Sequence, residues 1–237
     1  MQSERAYILL FTILLSISAC HSNNTKNQED ENCGKQISKS LGYINNFYFK
    51  KQTAYLDSAL QILKGVENCS PKYKYIIFSD EVHAYFLKKD FASALITLDK
   101  VPDSLYPFPA FKNILELKIK AKEAETNQDR KKQVACFNAL ISIYRHYLDE
   151  NQQTVEVVVR QSDVDAIIQS PNIDFVLSEM FFYMSKVQPM DKVISEIDAY
   201  QKKTKGNLLY FYNLKKDIKR RNGKEMSILL YYEENEW

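Results

Sequence analysis

Leu56-Asp57-Ser58-Ala59-Leu60-Gln61-Ile62-Leu63 and Phe91-Ala92-Ser93-Ala94-Leu95-Ile96-Thr97-Leu98 are two copies of one pattern, sharing Ser-Ala-Leu at a shift of 35 residues. Carried outward, that shift lays Val66 on Val101, Tyr43 on Phe78 and Phe47 on Val82. Two helices therefore repeat together. A helix pair of this period cannot bury its apolar face alone and does so by stacking on its neighbours.

The second copy, Tyr75 to Val101, resembles a tetratricopeptide repeat. Tyr85 takes the family's aromatic position in the first helix, and Asp90-Phe91 the turn and the aromatic that opens the second. Ala94 takes the small position, Leu98 the large apolar one, and Pro102 lies close to the terminating proline. In the first copy Ala59 and Leu63 fill the small and the large apolar positions, while Lys50 stands where the second copy has Tyr85. The small residue belongs where the helices cross, because a larger side chain would force them apart. The resemblance covers residues 36–102. It implies a right-handed stack of antiparallel hairpins.

Downstream the helical period continues without the motif. Phe111, Ile114, Leu115 and Ile119 form one stripe; Val134, Phe137, Leu140, Ile141, Tyr144, Tyr147 and Leu148 form another. Pro102, Pro107 and Pro109 mark the connection before them. Strand and helix compete over Val155 to Val159, which is rich in β-branched residues. Pro171 and Pro189 each sit where a helix should begin, predicting a pair over Phe175–Val187 and Met190–Tyr200 and a last helix over Leu208–Ile218. Ser227 to Tyr232 reads as helix or a short strand.

Ahead of the repeats, Tyr7 to Ala19 is an uncharged apolar run behind a short segment carrying Arg5. That is the anatomy of a secretory signal, too short for a permanent span. Its end, Ile17-Ser18-Ala19-Cys20, resembles the lipobox of bacterial lipoproteins. The resemblance implies diacylglycerol on the Cys20 sulfur, cleavage after Ala19 and acylation of the new amine. Each buried methylene adds about 0.8 kcal/mol, so two or three chains on one residue make a stable anchor. The competing readings are a plain cleaved signal with a chance cysteine, or an N-terminal transmembrane helix. The polar stretch from His21 to Asn32 has no aliphatic or aromatic residue and reads as a tether.

In an exported chain the other cysteines invite pairing. Cys33 precedes the first predicted helix and Cys69 follows the second, so an antiparallel pair brings them to the same end. Cys136 falls within a helical pattern and reads as a buried thiol. The alternative is that all three are small apolar residues.

Acids and bases nearly balance, with formal charge +2, which argues against nucleic acid as main partner. Only five glycines occur, excluding glycine-rich phosphate loops. Of the three histidines, His83 stands close to Asp80 and Glu81; a metal or acid–base site and a plain helix-face histidine are the two readings, and the second is preferred. His21 and His146 have no second histidine at metal spacing. There is no Gly-x-Ser-x-Gly, and Cys136 lacks a neighbouring base in sequence. A basic stretch runs from Lys202 to Lys224 with Asp217 its only acid; it reads as cations near a helix C-terminus, or as a face toward anionic headgroups or an acidic partner.

The expectation is thus an all-α, tetratricopeptide-like α-solenoid: residues 1–19 a cleaved signal, 20–34 a tether from lipidated Cys20, and 35–237 the helical-repeat domain. No catalytic, cofactor-binding or metal-binding residues are assigned. The expected role is a scaffold in the bacterial envelope, on the outer membrane facing the periplasm or at the surface. It would bind a protein or peptide and meet the membrane through its lipid. A hydrolase or glycan-handling enzyme, and an immunity or inhibitor lipoprotein, are the alternatives.

Overall fold

The computed structural model describes residues 30–106, 110–160 and 171–222. Cys20, His21, the tail 227–232 and Lys224 lie outside them. Ten α-helices and no strand occur among the described residues: α1 (30–50), α2 (Thr53–Gly65), α3 (Lys74–Leu87), α4 (Phe91–Asp99), α5 (Phe111–Thr126), α6 (Arg130–Glu150), α7 (Gln152–Arg160), α8 (Pro171–Val187), α9 (Met190–Thr204) and α10 (Leu208–Arg221). The fold is all-α, with consecutive helices packed as hairpins within each of two units. Compactness divides the chain after Val101 into an N-terminal and a C-terminal unit.

The N-terminal unit is the repeat region. Ala59 on α2 and Ala94 on α4 are wholly buried, with Leu63 and Leu98 buried one turn further along each helix. Ile44, Leu56, Ala59, Leu60 and Ala84 form one cluster, against which Phe47, Tyr48 and Tyr85 pack; Phe91 is buried against Phe86, ring centroids 6.0 Å apart. The 35-residue shift is physical: Tyr48 of α1 and His83 of α3, one shift apart, meet with Oη and Nε2 2.6 Å from each other. Helix α1 already includes Cys33 and Gly34, which the sequence places in the tether. Asp30 on it receives Lys72 at 2.6 Å, and Glu31 pairs with Lys35 at 2.7 Å.

Two of the hairpins share one turn design. In α3–α4, Lys89 adopts φ 62°, Asp90 N–H donates to Tyr85 O (3.0 Å), and the Asp90 carboxylate caps Ser93 N–H (3.1 Å). In α5–α6, Gln128 adopts φ 57°, Asp129 N–H donates to Ala124 O (2.8 Å), and Asp129 caps Lys132 N–H (2.9 Å). A left-handed residue closes the first helix and the aspartate opens the second. The same turn thus closes a hairpin in each unit.

In the C-terminal unit, α8 is the hub. Buried residues run without a break from Phe175 to Met184 on all its faces, and α6, α7, α9 and α10 pack around it. An all-round apolar helix is stable only when enclosed. Val155, Val158 and Val159 lie on one side of α7, so burial of that stripe decides the segment for helix over strand. Pro171 opens α8 and Pro189 caps α9, as their fixed φ favours.

Candidate functional site

A cleft of about 220 Å³ opens on the C-terminal unit between α6, α8 and α9. Its floor is Leu148, Met180, Phe181 and Tyr200; its rim is Arg145, Asp149, Glu196 and Lys203. Helical spacing builds the rim, since Arg145 and Asp149 lie one turn apart on α6. Arg145 reaches Glu196 at 3.5 Å, and Gln188 donates to the same carboxylate at 3.0 Å. Tyr200 packs against Phe181 and Phe211, ring centroids 6.0 and 6.4 Å away. Burial, then the Asp149 charge, pushes its phenol up to about 12, so it stays a neutral donor. Small-molecule sites usually span about 300–1,000 Å³. This cleft suits one or two side chains of an extended segment better than a cofactor.

The same unit holds a second polar group, sealed in the core. Glu179 receives Lys118 on Oε2 and Arg221 on Oε1, both at 2.7 Å, and Arg221 also donates to Ser178 Oγ at 3.2 Å. Lys118 sits over the Phe175 and Tyr183 rings, and Arg221 over Phe182, 4.1 Å from its centroid. Burial raises the Glu179 pKa, but the charges and hydrogen bonds of Lys118 and Arg221 outweigh it, and the carboxyl is held below its usual range. Tyr144, fully buried beside it, is pushed well up, first by burial and then by the Glu179 charge. All three charged side chains are at most 3 % exposed. No substrate reaches them, so the group acts as an internal fastener of α5, α8 and α10.

The titratable residues singled out from sequence fall elsewhere. His83 is buried, and burial lowers its pKa to about 3, leaving a neutral ring against Tyr48. Neighbouring Glu81 is raised to about 7, by burial first and Glu67 second, with Lys100 and Lys64 opposing. The described residues contain no cluster of acids, histidines and cysteines able to hold a metal. His146 is exposed and 3.2 Å from Glu150. Cys136 is a free, buried thiol, and burial raises its pKa. Cys33 and Cys69 are joined by a disulfide with Cα atoms 6.2 Å apart. Of the residues expected to carry the repeat pattern, Ala59, Leu63, Phe91, Ala94 and Leu98 are buried in packing and Tyr85 is partly buried.

Sequence reasoning missed both the cleft and the internal group. The group did leave a signal: Lys118 occupies an apolar-stripe position one turn after Ile114, and Glu179 interrupts the apolar run of α8. Comparison with family models, curated proteins and solved structures found no match.

Proposed function

We propose that this chain is an exported, lipid-anchored envelope scaffold that holds an extended protein segment in the cleft between α6, α8 and α9. The observation that carries the reading is the make-up of that cleft: an apolar, aromatic floor under a rim of both charge signs. Such a site gives side-chain burial and register without a reactive group. The address rests on Ile17-Ser18-Ala19-Cys20, and the disulfide of Cys33 with Cys69 fits an oxidising compartment.

The test compares three full-length forms in a lipoprotein-processing bacterial host of matching envelope: wild type, Cys20→Ala, and Arg145→Glu with Lys203→Glu. Each is crosslinked on membranes and purified. Wild type should be membrane-bound, lipid-labelled and accompanied by one recurring protein. Cys20→Ala should lose label and membrane, while the rim variant keeps both but loses the companion. A companion indifferent to the rim would overturn the cleft, and unchanged labelling of Cys20→Ala would overturn the anchor.

A further inference from the structure

The dipoles of α9 and α10 account for lysines near their C-termini. They do not account for large apolar side chains left in water beside them. Leu208, Leu209 and Tyr212 are 78, 59 and 61 % exposed, and all three fall within five residues at the start of α10. The turn that delivers them is firmly built: Lys205 takes φ 52°, Gly206 N–H donates to Gln201 O at 3.0 Å, and the Asn207 side chain caps Leu209 and Tyr210 N–H. Tyr210 and Phe211 point inward, buried on the same turn. The leucines are outside because the helix phase puts them there.

Lysines surround this tip. Lys202 and Lys205 precede it on the last turn of α9 and the loop, and Lys216 lies one turn beyond Tyr212 on the same exposed side of α10. Among the described residues no acid pairs with these three. The nearby acids are engaged: Asp198 receives Lys215 at 2.7 Å, and Asp217 receives Arg220 at 2.6 Å.

We propose that this lysine-ringed tip docks on an anionic bilayer surface, Leu208 and Leu209 entering the acyl boundary, Tyr212 at headgroup level, and Lys202, Lys205 and Lys216 against the phosphates. A protruding leucine pair suits a fluid surface that closes around it, and cations in a ring complement anionic headgroups. The contact is separate from the cleft reading and adds orientation to whatever anchors the chain. It holds the C-terminal unit with the α9–α10 turn against the lipid.

The test uses the full chain with Cys20 intact, reconstituted in vesicles. Trp237, the single tryptophan, is changed to Phe, and one reporter is placed at Leu209→Trp or, as control, at the half-exposed Val157→Trp on α7. Quenching by brominated lipid should be at least twofold stronger at position 209 than at 157 in phosphatidylglycerol vesicles. It should fall toward the control in phosphatidylcholine, in high salt, and when Lys202, Lys205 and Lys216 become Glu. Equal quenching at both positions would overturn the proposal. So would emission at 209 that follows the protein-to-lipid ratio but ignores headgroup charge, because a second copy of the chain would then be covering the tip.

Discussion

Lys118 Nζ lies 2.7 Å from Glu179 Oε2, with the two side chains 2 and 3 % exposed, in a unit built on one large apolar and aromatic cluster. Arg221 completes the group from α10, so residues far apart in sequence close three helices on one carboxylate.

Breaking such a buried pair from one side strands a charge and typically costs about 3–5 kcal/mol. Glu179→Leu should therefore lower stability by that order in urea unfolding. Lys118→Met combined with Glu179→Leu should cost less than the two single changes summed, because the ammonium is no longer stranded. The Glu179 pKa is held below its ordinary 4.5. Its contribution is thus complete above that value and is lost as pH falls through the folded pKa.

In the N-terminal unit two buried groups titrate against each other. Glu81, raised from 4.5 to about 7, makes the folded state hold the extra proton, so its contribution falls as pH rises through that window. His83, lowered from 6.5 to about 3, makes the unfolded state hold it, so its contribution falls as pH drops through its own window. The two slopes oppose between about 4.5 and 6.5, each at most about 1.4 kcal/mol per pH unit and less where water reaches Glu81. Urea unfolding of the whole chain should show Glu81→Gln more stable than wild type at pH 7.5 and steeper in its acid loss. His83→Gln should instead gain stability on acidification from pH 6.5 to 4.5. Parallel pH profiles for all three proteins would refute the opposition.

The disulfide closes 36 residues between α1 and the end of the α2 segment. By chain entropy such a loop contributes roughly 3–4 kcal/mol. Reduction, or Cys33→Ser with Cys69→Ser, should destabilise the chain by that order while leaving the far-ultraviolet helical signal in place at low temperature. Unchanged unfolding after reduction would show that the helix pair needs no link.

Gly206 is a matter of space. A Cβ there would stand 2.2 Å from Phe211 Cε2, and that ring is wholly buried behind Tyr200. Gly206→Ala should therefore cost about 1–3 kcal/mol as overpacking and loosen the cleft floor. Lys205→Gly, one residue earlier at φ 52°, should be neutral or slightly stabilising. Denaturant midpoints of the two variants separate crowding from backbone conformation.

The N-terminal hairpins were legible because small residues at buried helix positions, as at Ala59 and Ala94, recur with the apolar pattern around them. The shift itself reappears as the contact of Tyr48 with His83. Beyond Pro102 the pattern changes. Turn residues Gln128 and Asp129 repeat Lys89 and Asp90, but different large side chains fill the hub around α8, so no apolar motif survives to be read. That α1 includes Cys33 and Gly34 was hidden by its polar composition there; contacts with Lys72 and Tyr73, 42 and 43 residues away, tie Asp30 down. The cleft was hidden because its walls come from three helices, so that Arg145, Met180 and Glu196 are brought together by packing and not by sequence spacing.

The central claim, that the cleft holds a partner, is tested most directly by a photocrosslinking amino acid placed singly at Glu196 on the rim and at exposed His146 on α6, which is not among the cleft-lining residues. Illumination of cells producing each full-length protein should give one discrete adduct from position 196, absent from position 146 and lost when Arg145 and Lys203 are reversed to Glu. Adducts of equal yield at both positions, or none at 196 with the protein folded on its membrane, would contradict it.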